Sequence, residues 1–479
     1  MVRKFNIISV VSVALIIIWL WYEISNIPKA LEPDGTVALG MLIDNVRVIS
    51  MVPGSPEVEE GRSVLILGDR IVKIEASGSN DVPQGVEVVD GQGQTLMPGL
   101  IDAHIHLSDE TELAGYLAHG VTGLRNMSGY PFHLQLAQDI KQGVIIGPDF
   151  ITTGPILNSH GANENIIQQI VMTDAEARLA VQAQYNAGYR ILKVYSNLTR
   201  EAFDAILDEA NRLSMSIVGH SPEGVRTKGI PYKKPFSISW GASLTRGFTT
   251  LEHIETIVWH SLQGELDENR MRKAAAKLAA SGETVTPTLI AHKRLVLIAE
   301  TEGAYLDRPG SDTINPLVRF IGQSSAKYWS GVDASAYEKP HTEFFLMATQ
   351  LLHEAGVSLI AGTDSGSFAI IPGASMAREL ELLVEAGLTP HEALASATQV
   401  SATVLGFEQT GVIAPGYRAN LVLLPQDPLT QIKAVEFPSG VMVRGHWIDK
   451  SALETMRKAS RETSFMRSAW RAVQMKLSL

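Results

Sequence analysis

From Met97 onward, short apolar runs alternate with longer, alanine-rich stretches, and this alternation restricts the chain to repeated βα units around a parallel sheet. The strand-like runs end near His106, Arg125, Thr153, Tyr195, His220, His253, Leu289 and Asp364. Helical stretches such as Asp174 to Ala187, Arg200 to Leu213 and Asp267 to Ala280 fall between them. The fold class expected is α/β: a (β/α)8 TIM-like barrel over residues 97–407, with its active site at the C-terminal ends of the strands. The interval from Leu289 to Val357 is too long for one connection. It predicts extra helices, Ile314 to Trp329 and Thr342 to Ala355, over the barrel mouth. Short β-like runs flank the barrel on both sides, and residues 37–96 and 408–449 are expected to pair into one small β-sandwich. After the barrel strands come helices Ala374 to Ala386 and Pro390 to Leu405, and a final amphipathic helix runs from Ser451 to about Lys476, within residues 450–479. Packing on the barrel suits that last helix better than membrane contact.

The N-terminus has a different character. Arg3 and Lys4 precede an apolar stretch from Phe5 to Tyr22, with Trp19, Trp21 and Tyr22 at its far end. This reads as an N-terminal transmembrane anchor helix within residues 1–28, followed by a Pro-containing linker over 29–36. The basic flank would stay in the cytoplasm and the catalytic body would lie outside, in the periplasm if the cell is bacterial. A cleaved signal peptide, giving a secreted or periplasmic protein, is the competing reading, although Ser25-Asn26-Ile27-Pro28 offers no clean cleavage site. The net charge of −11, without a basic stripe, disfavours nucleic acid as a partner. The chain has no cysteine, so any metal must be held by His, Asp, Glu or a modified Lys.

The strand ends carry such residues. His104 and His106 close the run Pro98-Gly99-Leu100-Ile101-Asp102-Ala103-His104-Ile105-His106. Residues two apart on a strand share a face, so both imidazoles can converge on one divalent ion such as zinc. Lys193 lies in the apolar run Ile191-Leu192-Lys193-Val194, where an uncompensated buried cation is costly. His220, His253 and Asp364 end three further strands. Each alone reads more readily as a hydrogen-bonded structural group, for the histidines, or as a turn or helix cap, for Asp364. Together, on strand ends of one barrel, they point to a metal centre. His160, Tyr195 and Arg226 are weaker candidates for substrate contact, against loop hydrogen bonding, packing and solvated charge respectively. Glu252 precedes His253 and is expected to face away from the site. His119, His133, His292 and His353 match no strand end and read as structural.

With these residues in place, the chain resembles the metal-dependent amidohydrolase superfamily, in its imidazolonepropionase-like and prolidase-like branch. The likeness runs from about Val37 to Asp449. It includes Pro-Gly-Leu-Ile-Asp-x-His-x-His, Ala361-Gly362-Thr363-Asp364, the segment Gly387 to Leu394, and Gly411 to Leu424. In that last segment the family often has Ala-Asp where this chain has Ala419-Asn420. The resemblance implies a binuclear centre of two divalent metals, expected to be Zn2+, bridged by a carboxylated Lys193. His104, His106 and Asp364 would hold the first metal; His220 and His253 would hold the second. It implies a metal-activated hydroxide attacking an amide-type C–N bond, with Asp364 accepting the proton and returning it to the leaving amine. A small-molecule or dipeptide-like substrate is expected, a prolidase-like dipeptidase being the specific form, and a homo-oligomer is compatible with this reading. Two alternatives stay open: a mononuclear cyclic amidohydrolase or deaminase with a structural Lys193, and a catalytically silent barrel serving as a binding or scaffold protein.

Overall fold

The computed structural model of the chain describes residues 28–33, 39–79, 82–162, 164–225, 236–244, 246–336 and 338–479. The anchor expected over the first 28 residues falls on positions 1–27, outside the described residues, as does Arg226. Among the described residues, no helix is long and apolar enough to cross a membrane.

Five strands precede the barrel: β1 (Gly40–Val48), β2 (Glu59–Leu67), β3 (Arg70–Ala76), β4 (Val86–Asp90) and β5 (Thr95–Pro98). The barrel region contributes β6 (Leu100–Ile105), β7 (Val121–Asn126), β8 (Asp149–Thr152), β9 (Ile156–Asn158), β10 (Gln168–Ile170), β11 (Ile191–Val194), β12 (Ser216–Gly219), β13 (Phe248–Glu252) and β14 (Thr284–Thr286). Three strands follow it: β15 (Leu421–Leu424), β16 (Gly440–Val443) and β17 (His446–Asp449).

β6, β7 and β8 pair in parallel, as do β11, β12, β13 and β14. The two groups are joined where the Gly154 amide donates to the Ile191 carbonyl at 2.8 Å. Residues 359–365 fill the eighth position, held by parallel bridges from Leu359 to Val285 and from Ser365 to Ile105. Glycine permits this closure. A Cβ on Gly362 would lie 2.6 Å from Thr286 Cγ2 and 2.9 Å from the His104 nitrogen.

The helices form where local chemistry favours them. Thr173 and Glu176 make a reciprocal capping box ahead of helix Asp174–Ala187, and Gly188 ends it at φ 113°. Such a cap stabilises a helix by about 1 kcal/mol. Three expected boundaries shift. The seventh strand ends at Thr286 instead of Leu289, because Pro287 follows and Thr288 turns left-handed at φ 48°. Helix Leu289–Glu300 starts there, and its first two amides donate to the distant Glu379 carboxylate at 2.9 and 2.8 Å. The stretch expected as one helix from Pro390 divides into Pro390–Ser396 and Gln399–Leu405 around Thr398, whose φ of −134° and ψ of −97° are not helical. The final stretch likewise divides into Lys450–Ala459 and Phe465–Ser478.

The two β-rich ends meet where β5 runs antiparallel to β15, from Thr95 opposite Leu424 to Pro98 opposite Leu421. Hydrogen bonding makes one continuous eight-stranded sheet rather than two separate layers. Its bend lies in β1, which pairs with β4 before Asn45 and with β5 after it, Asn45 itself being at φ 53°. Met41, Ile43, Val64, Leu421 and Met442 then share one buried cluster. At its junction with the barrel, Asn420 donates to Asp149 at 2.8 Å and accepts the Arg444 amide at 2.7 Å. An aspartate at position 420 would face the Asp149 carboxylate, which accounts for the amide.

Candidate metal centre

His104 sits on β6 and His106 one residue beyond it, and both imidazoles point into the mouth. His106 Nε2 lies 3.1 Å from Asp364 Oδ1, and His104 Nε2 lies 3.5 Å from the same oxygen. Lys193, on β11 and 1% exposed, donates from Nζ to His104 Nε2 at 3.1 Å. The His253 ring centre is 4.6 Å from that of His104 and 4.7 Å from that of His220. His104, His253 and Asp364 offer ligand atoms within 4.8 Å of one another. The six residues predicted as ligands therefore share one end of the barrel.

Backbone geometry contributes to the convergence. His253 and Asp364 are at φ 67° and 61°, in the left-handed region that side chains other than glycine seldom enter. The turn at His253 also explains why one expectation fails. Alternation along β13 sends Glu252 and Thr250 into the barrel, and the left-handed His253 turns its own ring inward as well. Glu252 thus faces the site. It accepts from His104 Nδ1 at 2.7 Å and from Arg125 Nη2 at 2.8 Å. Arg125 also donates to the Ala103 carbonyl at 2.6 Å, Thr250 Oγ1 at 2.6 Å and Thr286 Oγ1 at 3.3 Å. Sequence alternation alone cannot reveal this arginine–glutamate–histidine relay.

The hydrogen bonds fix two tautomers. His104 Nδ1 donates to the Glu252 carboxylate, so its Nε2 presents a lone pair, which Lys193 meets. Thr288 Oγ1 donates to the Pro287 carbonyl at 2.8 Å, so it accepts from His253 Nδ1 at 2.6 Å. His253 Nε2 is then the ligand nitrogen. His106 Nδ1 lies 3.0 Å from Ser128 Oγ, and His220 Nδ1 lies 3.1 Å from Ser196 Oγ.

Asp102, from the Pro-Gly-Leu-Ile-Asp run, supports the opposite wall. Its carboxylate accepts the Thr363 hydroxyl at 2.6 Å and the Thr363 amide at 3.0 Å, which fixes the residue before Asp364. Burial pushes the Asp102 carboxyl up to about 7.

The electrostatics favour neutral histidines facing an ionised aspartate. Burial, reinforced by the Lys193 charge, holds His104 well below the ordinary histidine range, and burial brings His253 down to about 4. Burial pushes Asp364 up, but the hydrogen bond from His106 and the electrostatic interaction with the His106, His104 and His253 rings outweigh it and hold the carboxyl well below the usual range. Burial lowers Lys193 to about 8. Among the described residues no carboxylate lies within ion-pair distance of Lys193. The donor set of imidazole nitrogens, a carboxylate and a buried amine suits divalent metal ions, zinc in particular.

The weaker candidates separate. Tyr195 is half-buried with its ring centre 4.0 Å from that of His220, so it lies beside the cluster. His160 does not: its side chain is 65% exposed and pairs with Glu164 at 3.0 Å. His119, His133 and His292 hydrogen-bond to the Glu436 carbonyl, the Leu107 carbonyl and Thr342 respectively, and His353 pairs with Glu392.

Residues 244–448 match the amidohydrolase family model. An ochratoxinase from Aspergillus niger is 23% identical over 462 residues, covering 82% of this chain and 83% of the relative. The fold matches a bottromycin amidohydrolase with a TM-score of 0.71 at 23% identity, over 92% of this chain and 96% of that one. It also matches a putative prolidase from Bifidobacterium longum with a TM-score of 0.65 at 22% identity, over 89% of this chain and all of that one.

Proposed function

We propose that this chain, which carries an amidohydrolase family domain, is a binuclear metallohydrolase that cleaves amide-type C–N bonds of small or dipeptide-like substrates. The observation that carries the reading is the convergence of His104 and His106 Nε2 on Asp364 Oδ1, with Lys193 Nζ 3.1 Å from His104 Nε2. His104, His106 and Asp364 would hold one metal, His220 and His253 a second, and Lys193 both. Bound metals supply activation of water and polarisation of a carbonyl.

The chain's own groups do the rest. Asp364, held ionised, takes a proton from the attacking water and returns it to the leaving nitrogen. Glu252 and Thr288 keep His104 and His253 in the tautomers that present Nε2. Asp102 fixes Thr363 and so the approach of Asp364. Support for carboxylation of Lys193 comes from its setting. A buried ammonium without a carboxylate partner is costly, and conversion to a carbamate replaces it with an anionic group bearing two oxygen ligands. The second reading is a mononuclear enzyme, favoured by the grouping of His104, His253 and Asp364 alone within 4.8 Å. We also place the catalytic body outside the cytoplasm, held to the membrane by the apolar segment from Phe5 to Tyr22, on the sequence argument above.

The test is metal analysis of the purified full chain with a panel of dipeptides, N-acyl amino acids and cyclic amides. About two metals per chain are expected, falling to one in Lys193→Ala. Asp364→Asn should lower kcat by roughly 10²–10⁴-fold. One metal in the native chain, unchanged in Lys193→Ala, would select the mononuclear reading. Full turnover after metal removal would remove both. Resistance of the full chain to carbonate extraction from membranes tests the anchor.

A further inference from the structure

The barrel contains two kinds of arginine. Arg125, at its core, is saturated: its donors reach Glu252, Thr250, Thr286 and the Ala103 carbonyl. Arg294 and Arg308 belong to the long insertion over the mouth, and they are not saturated.

Arg294 lies on helix Leu289–Glu300, whose N-terminal flank Thr288 holds His253. Its Nη1 donates to the Ala291 carbonyl of its own helix, and its Nε is buried without a hydrogen-bond partner. Arg308 stacks on Tyr305, its guanidinium carbon 3.9 Å from the ring centre. It donates to the Tyr305 carbonyl at 3.0 Å and to the Ala369 carbonyl at 2.7 Å. Ala369 belongs to the turn that begins at Asp364, where the Ser367 hydroxyl lies 3.0 Å from Asp364 Oδ2. Arg308 is thereby fastened to the segment that carries Asp364. Both arginines are half-buried, and among the described residues neither forms an ion pair with a carboxylate. Burial lowers both from the ordinary arginine value; the Arg294 charge adds to that lowering at Arg308, while the Asp364 and Glu255 charges partly offset burial at Arg294. Among the described residues the two guanidiniums donate hydrogen bonds only to carbonyls, which keeps positive charge beside the Asp364 segment. Guanidinium matches a carboxylate in planarity and charge.

We propose that Arg294 and Arg308 recognise a carboxylate on the amine half of the substrate, so that the enzyme acts on N-acylated α-amino acids, including dipeptides with a free C-terminus. The assignment to the amine half follows from Asp364. That residue serves the leaving nitrogen, Arg308 is fastened to the Asp364 segment, and in an α-amino acid the carboxylate is one carbon from that nitrogen. The inference rests on the amide-hydrolase reading above and narrows its substrate class.

The experiment compares each N-acyl amino acid with its C-terminal amide, same acyl group and side chain, on the purified metal-loaded full chain. The free acid should be preferred by roughly 10²-fold or more in kcat/KM. Arg294→Gln and Arg308→Gln should each shrink that preference at least tenfold, chiefly through KM for the acid, and Arg294→Lys should retain part of it. Competitive inhibition of the wild type by free amino acids, and not by their amides, gives the same readout without any substitution. Cleavage of acid and amide at equal rates, or a preference unchanged in both variants, overturns the proposal while leaving the amide-hydrolase reading intact. Failure to cleave any amide overturns that underlying reading instead.

Discussion

The two ends of the barrel use the same residue types for different ends. At the closed end, Asp149 collects Arg418 at 2.9 Å, Asn420 at 2.8 Å and Arg444 at 3.3 Å, and Arg418 also lies 3.8 Å from Asp69, so the terminal sheet is fastened to the barrel by two guanidiniums facing two carboxylates. At the mouth, an ionised aspartate faces neutral histidines, a buried amine has no carboxylate within ion-pair distance among the described residues, and two arginines lie against carbonyls. A protein that neutralises charge at one end and leaves it unbalanced at the other has reserved the second end for ligands. This is the division expected of a barrel whose chemistry lies at the C-terminal strand ends.

The most severe test of that division is Glu252, which is structural in its bond to Arg125 and functional in its bond to His104. Glu252→Ala strands a fully buried guanidinium and should cost about 3–5 kcal/mol of stability. It should also weaken metal binding, because His104 loses the acceptor that sets its tautomer. Denaturant unfolding with and without metal separates the two effects; loss of neither would mean that the relay does not link the two roles.

Asp149→Ala should cost less, about 1–3 kcal/mol, since its arginine partners are partly exposed to water. Turnover per folded molecule should not change. A specific loss of turnover at unchanged melting temperature would break the contrast between the ends.

The smallest effect is a pH dependence at the rim. Glu112 is 1% exposed, and burial, with the nearby Asp109 charge, raises its carboxyl from 4.5 to about 8. Its carboxyl accepts a hydrogen bond from Asn315 of the insertion at 2.9 Å. The native state keeps that proton where the unfolded chain has lost it. The group therefore contributes its stability in full below about 4.5, and the contribution declines as pH rises towards about 8. Glu112→Gln should flatten that decline, seen as a smaller change of melting temperature between pH 5 and pH 8. An unaltered slope would place the titration elsewhere.

Much of the site was legible because strand alternation and strand ends are local properties. His104 and His106 share a face through period two, and Lys193 stood out as a cation in an apolar run. Helix Asp174–Ala187 was expected from its alanine-rich stretch, and it is bounded by the local caps Thr173, Glu176 and Gly188. What escaped depends on backbone exceptions or distant partners. Glu252 was misplaced because His253 adopts φ 67°, which breaks the alternation on which the reading relied. The start of helix Leu289–Glu300 was hidden because its amides are capped by Glu379, far along the chain. Asp102 belongs to a readable motif, yet its task of holding Thr363 appears only once the first and eighth strand positions are adjacent. Arg294 and Arg308 look in sequence like any helix-surface or loop arginine.

The pairing of β5 with β15 imposes a schedule on biosynthesis. When β5 leaves the ribosome, its partner strand has not been made, and the whole barrel must be translated first. At roughly 5–20 residues per second that interval is on the order of tens of seconds. Throughout it, a hydrophobic strand whose four residues are all buried in the finished protein keeps an open edge. A nascent chain stalled inside the barrel would thus expose a surface prone to pair with other chains, and chaperone cover would matter most before residue 424 emerges.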